Sequence, residues 1–163
     1  MLTLVLGGIR SGKSRFAVEL AEKAGGRVAV VATGSASDEE LRERIEQHRR
    51  SRPQQWAVYD GLQGEPGSVP SGPADTILLD SVDGWLVRGT GPDDCVREVR
   101  ALCERASVIA VSSEVGLSLV ALTPSGRSFT DALGTVNQQL AAEAEAVYLV
   151  VAGLPLTLKA PGA

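Results

Sequence analysis

An α/β fold, with a mostly parallel sheet and helices on both faces, is predicted by three observations. Short apolar runs recur at residues 2–6, 28–31, 76–79, 107–112 and 147–151. Between them lie segments whose apolar residues repeat at helical spacing. The runs are continuously apolar instead of alternating, the pattern of strands covered on both faces.

The elements follow in order. Residues 2–6 form a strand that runs into a glycine turn. Residues 13–24 form a helix, with Phe16, Ala17, Leu20, Ala21 and Ala24 on one face and Gly25-Gly26 as its stop. Residues 28–31 are a second buried strand, ending in Ala32-Thr33-Gly34. Ser37 then reads as an N-cap, with Glu40 completing a capping box. The helix it opens runs to about Arg50; it is densely charged, and Leu41 and Ile45 supply its thin apolar stripe. Residues 55–59 read as a short strand and residues 60–75, rich in Gly, Pro and Ser, as a loop. A strand at 76–79 ends in Asp80. A helix at 92–105, a strand at 107–112 and a helix at 129–144 follow, the last with Leu133, Val136, Leu140 and Ala144 on one side. The strand at 147–151 and a partner at 154–158 are joined through Gly153 as an antiparallel hairpin, and the last four residues are expected to fray. With no internal repeat, residues 1–163 are expected to form one nucleotide-binding domain.

Composition narrows the function. The chain has 163 residues, 44% hydrophobic and 22% charged, and a net charge of −4. That charge argues against a sequence-wide attraction to nucleic acid or anionic lipid, so an anionic ligand needs a local positive site. No apolar run reaches the roughly 20 residues of a membrane span. The apolar N-terminus lacks a basic region and enters Gly7-Gly8 directly, so it is read as a strand and not a signal peptide. Cys95 and Cys103 lie on one predicted helix without metal-ligand partners; both are read as packing residues, which fits a reducing cytoplasm.

The most specific motif is Gly7-Gly8-Ile9-Arg10-Ser11-Gly12-Lys13-Ser14, a match to G-x-x-x-x-G-K-[ST] between a predicted strand and a predicted helix. Glycines let the backbone curl so that its N–H groups face phosphate oxygens, and the helix start adds partial positive charge. Lys13 is expected to reach the β- and γ-phosphates and Ser14 to ligate Mg²⁺. The same chemistry needs an acid at the end of another strand. Asp80 fits; Asp83 is the substitute.

The one histidine, His48, is flanked by Arg44, Arg49, Arg50 and Arg52. Two readings stand side by side. The segment is a solvated basic face, or His48 is a nucleophile toward a nucleotide α-phosphate, with the arginines neutralising phosphate charge.

The ordered set of motifs resembles a known family. Gly-Gly-x-Arg-Ser-Gly-Lys-Ser is followed by Ala32-Thr33-Gly34, the acidic-basic run of residues 38–45, His48, Arg52-Pro53 and Trp56. Glu114-Val115-Gly116, Asn137-Gln138-Gln139 and the segment from Tyr148 to Leu156 come later. This order is similar to that of the bifunctional adenosylcobinamide kinase / adenosylcobinamide-phosphate guanylyltransferases of cobalamin biosynthesis. The resemblance implies a RecA-like P-loop fold with an antiparallel C-terminal strand, assembled as a homotrimer. It implies phosphorylation of adenosylcobinamide with ATP or GTP, then GMP transfer from GTP through a histidine, giving adenosylcobinamide-GDP. The guanylylated histidine falls on His48. Nucleotide contacts fall on residues 7–14, on Ala32, Thr33 and Gly34, on Arg49, Arg50, Ser51 and Arg52, and on Asp60 and Asp80; Mg²⁺ falls to Ser14 and Asp80. The chain departs from the family's pattern at residues 81–88, at Ser113 and at residues 121–131. The other readings are a P-loop small-molecule kinase without guanylyl transfer and a non-catalytic nucleotide-binding regulator.

Overall fold

Strand β1 (Leu2–Gly7) shows how the sequence builds the core in the computed structural model, which describes residues 1–33, 53–60, 72–117, 119–160 and 162. Side chains of an extended strand alternate between faces. Leu2, Leu4 and Leu6 enter one apolar cluster and Val5 the other. Both faces are covered, which is why the run is apolar throughout.

The other strands are β2 (Val28–Ala32), β3 (Ala57–Asp60), β4 (Thr76–Asp80), β5 (Ser107–Ser113), β6 (Ala146–Val151) and β7 (Leu154–Lys159). Among the described residues they form one sheet in the order β3-β2-β4-β5-β1-β6-β7. Every neighbouring pair is parallel except β6 and β7, which are antiparallel.

Helix α1 (Lys13–Ala24) covers one face. Its fully buried Ala17 and Ala21 are small enough to let the helix lie close on Val5, Val30, Leu78, Val111 and Val150. Phe16 meets Tyr148 edge-to-face at 5.2 Å. After the short α2 (Asp83–Val87), helices α3 (Pro92–Cys103) and α4 (Pro124–Glu143) cover the other face. Cys95, Val96, Val99 and Leu102 of α3 and Val136 and Leu140 of α4 enter its cluster. Cys95 is buried and Cys103 partly so, both as free thiols.

Three details differ from expectation. Helix α4 begins at Pro124 and not near residue 129. Thr123 caps it, its Oγ1 accepting from the Gly126 N–H at 3.1 Å, and Pro124 needs no N–H in the first turn. Second, α2 has no counterpart in the expected elements; it is about one turn long and contains Gly84, so it carries no helical periodicity. Third, β3 extends to Asp60, the residue from which a loop was expected. The charged helix expected at residues 37–50 lies outside the described residues.

Parallel pairing fixes where the strands end. Ala32 of β2 is in register with Asp60 of β3 and with Asp80 of β4, and Gly7 of β1 with Ser113 of β5. The carboxyl ends of five strands thus share one edge, the place where open parallel sheets bind ligands.

Candidate functional site

The loop after β1 is shaped by two residues with left-handed backbone, Arg10 at φ 56° and Gly12 at φ 94°. Only glycine takes this conformation without steric cost. Gly7 is required for space: a Cβ there would sit 2.8 Å from the Val150 carbonyl oxygen and closer still to Ser11 Oγ. Within the loop, the Ser11 N–H donates to the Gly8 carbonyl at 3.2 Å, and the Phe16 N–H to the Gly12 carbonyl at 3.0 Å, which starts α1. Lys13 Nζ donates to the Gly8 carbonyl at 3.2 Å, so the ammonium folds over the loop. Gly8, Ile9 and Arg10 are exposed, whereas Ser11 is buried.

Across the edge, Ser14 Oγ donates to Asp80 Oδ1 at 3.3 Å, joining residues 66 positions apart. A hydroxyl and a carboxylate oxygen converge here beside a lysine. Mg²⁺ prefers such hard oxygen donors and keeps most of its shell as water and phosphate. No group of three or more His, Cys, Asp or Glu able to hold a metal occurs among the described residues. A two-oxygen site completed by a nucleotide suits that chemistry.

Thr33 organises the segment after Asp80. It is fully buried, its N–H donates to the Asp80 carbonyl at 3.1 Å, and its Oγ1 accepts from the Ser81 N–H at 3.0 Å while donating to the Ser81 carbonyl. Its hydroxyl is thus engaged inside the protein. Ala32 lies beside it at the strand end.

Asp83, the alternative acid, is engaged elsewhere. Ser113 Oγ donates to Asp83 Oδ2 at 2.8 Å. Asn137 Nδ2 donates to the Ser113 carbonyl at 3.0 Å, and Ser112 Oγ to Asn137 Oδ1 at 2.6 Å. This chain of bonds ties α2 and α4 to the end of β5 beside Gly7, and the Glu114 N–H donates to the Gly7 carbonyl at 3.0 Å. Sequence reasoning had noted Asp83, Ser113 and Asn137 separately. The contacts between them span 24 to 30 positions, beyond any local pattern.

Residues 7–14, Ala32, Thr33 and Asp80 therefore share one edge, with the backbone of Asp60 two strands from Asp80. Gly34, His48, Arg49, Arg50, Ser51 and Arg52 lie outside the described residues, as does the Asp60 side chain.

The comparisons with known proteins agree with this geometry. The chain is 37% identical over 169 residues to the "Bifunctional adenosylcobalamin biosynthesis protein CobP" of Pseudomonas aeruginosa, covering 98% of each chain. It is 34% identical over 182 residues to the "Bifunctional adenosylcobalamin biosynthesis protein CobU" of Escherichia coli, covering 98% of this chain and all of that one. A prototypical ATPase from the type III secretion system of pathogenic bacteria shares the fold. Its TM-score is 0.52 at 10% identity, over 96% of this chain and 56% of that one. The mostly parallel sheet with helices on both faces and an antiparallel C-terminal strand, expected from the sequence, is the one observed. The family model described as "Cobinamide kinase / cobinamide phosphate guanyltransferase" matches residues 3–158, and the chain belongs to that family of enzymes.

Proposed function

We propose that this protein phosphorylates adenosylcobinamide with ATP or GTP and then transfers GMP from GTP, through a guanylylated His48, to give adenosylcobinamide-GDP. The observation that carries the reading is the convergence of Ser14 and Asp80 beside the Lys13 loop in a chain of this family.

In the first reaction the backbone N–H groups of residues 8–14 cradle the triphosphate and Lys13 meets its β- and γ-oxygens. Ser14 and Asp80 would hold Mg²⁺, whose chemistry is to neutralise the phosphate charge that grows during transfer. The hydroxyl oxygen of adenosylcobinamide forms a bond to the γ-phosphorus as the bond from that phosphorus to the β–γ bridging oxygen breaks. The nucleoside diphosphate leaves and the hydroxyl proton passes to solvent.

In the second reaction an imidazole nitrogen of His48 attacks the α-phosphorus of GTP, and pyrophosphate leaves with the α–β bridging oxygen. A phosphate oxygen of adenosylcobinamide phosphate then attacks the same phosphorus, and the bond to His48 breaks. Arg49, Arg50, Ser51 and Arg52 contact the phosphates, and Ala32, Thr33, Gly34 and Asp60 complete the nucleotide site. The reading includes one catalytic domain, a cytoplasmic location and a homotrimer, with no nucleic-acid partner. No helix among the described residues is long and apolar enough to cross a membrane.

The test uses α-labelled GTP with Mg²⁺, followed by denaturation. Acid-labile, alkali-stable label is expected on the wild type and none on His48→Ala. An unlabelled wild type, or label persisting on His48→Ala, sinks the histidine step. Transfer of γ-label to adenosylcobinamide measures the kinase step separately.

A further inference from the structure

The β6–β7 turn reaches back to the phosphate loop. Ala152 and Gly153 have positive φ, 51° and 81°, the backbone of a two-residue hairpin turn that follows the strand twist. This turn brings the Gly153 N–H to the Ser11 carbonyl at 2.7 Å. The two backbones are in close contact: a Cβ on Gly12 would lie 3.2 Å from Gly153 Cα.

Peptide planarity gives this bond a consequence. In a trans peptide the C=O and the following N–H point in opposite directions. The peptide between Ser11 and Gly12 is trans. Drawing the Ser11 carbonyl toward the hairpin therefore turns the Gly12 N–H away from the hairpin. Arg10 and Gly12 hold left-handed backbone on either side of Ser11, and the Gly153 N–H anchors that segment from outside the loop.

We infer that Gly153 is a positioning residue of the nucleotide site: its N–H fixes the Ser11–Gly12 peptide so that the Gly12 N–H faces the phosphates. The inference rests on the nucleotide-binding part of the proposed function and on neither transfer step. Backbone conformation, not space, restricts residue 153. A Cβ there would lie 2.9 Å from Arg15 Nη2, but the Arg15 side chain is 70% exposed and can swing aside. Asparagine tolerates left-handed backbone, alanine does so less readily, and proline excludes it and removes the N–H.

The experiment compares full-length wild type, Gly153→Asn, Gly153→Ala and Gly153→Pro. Calorimetric titration gives the affinity for Mg²⁺-GTP and for GMP, which lacks the β- and γ-phosphates. The expected result is near-normal GTP binding for Asn and binding weakened about tenfold for Ala and Pro, the worth of a hydrogen bond at its upper range. GMP binding stays within about twofold in all of them. If Pro does not fold, the Asn-to-Ala comparison carries the test. Wild-type GTP affinity in Gly153→Ala, or equal losses of GTP and GMP, would overturn the inference. A wild type that binds GTP but takes no covalent label fails the guanylyl-transfer reading and leaves this comparison intact.

Discussion

Lys13 is already folded over the loop it is proposed to serve, since its ammonium donates to the Gly8 carbonyl. Replacing it by alanine removes a charged donor to phosphate, worth about 1.5–3 kcal/mol. GTP affinity is expected to fall about 10- to 100-fold, measured by calorimetric titration. At Asp80, replacement by asparagine keeps the shape but removes the charge that would face Mg²⁺. The expected outcome is a higher Mg²⁺ concentration for half-maximal kinase activity; an unchanged Mg²⁺ dependence would assign the acid's role elsewhere. Cys95 belongs to the core and not to the site. Burial, with Asp94 and Glu98 nearby, pushes its thiol from an ordinary 9.0 up to about 11. The native state therefore keeps a proton that the unfolded state loses. Its contribution to stability is full below about pH 9 and is lost as pH rises toward about 11. Urea midpoints that fall across that window in the wild type, and fall less in Cys95→Ala, are the expected signature.

Helix α4 shows how an element is held at both ends and along its face. Thr123 caps its start, and Thr123→Ala is expected to lower unfolding free energy by about 1 kcal/mol in urea titration. Leu140, fully buried between α4 and the sheet, is a costlier loss. Leu140→Ala leaves a cavity and is expected to cost about 2–5 kcal/mol. Asn137, on the same face, uses both ends of its amide, so α4 is fixed to the end of β5 by polar bonds as well as packing. Near the helix end, Arg100 Nε of α3 donates to Glu143 Oε2 at 2.9 Å, and that hydrogen bond holds the Glu143 carboxyl below its usual range. Stability from this pair is present above the unfolded carboxylate pKa and is lost as pH falls through the folded one. The pair is exposed, so salt weakens it and its effect is small.

For the whole molecule, β7 is an edge with an apolar surface to cover. It is an edge strand, paired on one side with β6, and Leu154, Leu156 and Leu158 are 73%, 58% and 54% exposed. Exposed apolar edges are ordinarily charged, bulged or covered. The proposed trimer gives this strand a cover. Light scattering is expected to return three times the 17.0 kDa chain mass for the wild type and a smaller assembly for Leu156→Arg. An unchanged mass in that variant would place the trimer contact on another surface.

Sequence alone determined the local features: strand runs, the bounds of α1, the start of α3, the glycine turn and the hairpin at Gly153. Each is set by residue type at short spacing, through periodicity or backbone freedom. Helix α4 was read short because a cap and a proline, not apolar periodicity, mark its start. The phosphate loop was legible because its chemistry needs contiguous residues. Tertiary structure decided everything carried by parallel pairing. Pairing of β2 with β4 sets Ala32 opposite Asp80, and the loop after β1 brings Ser14 to that same acid. Asp80 meets Ser14, while Ser113 at the end of β5 takes Asp83. Thr33 closes on Ser81, and Gly153 closes on Ser11. No sequence spacing encodes such contacts, since a parallel sheet joins residues through long crossovers whose register only the packed core fixes.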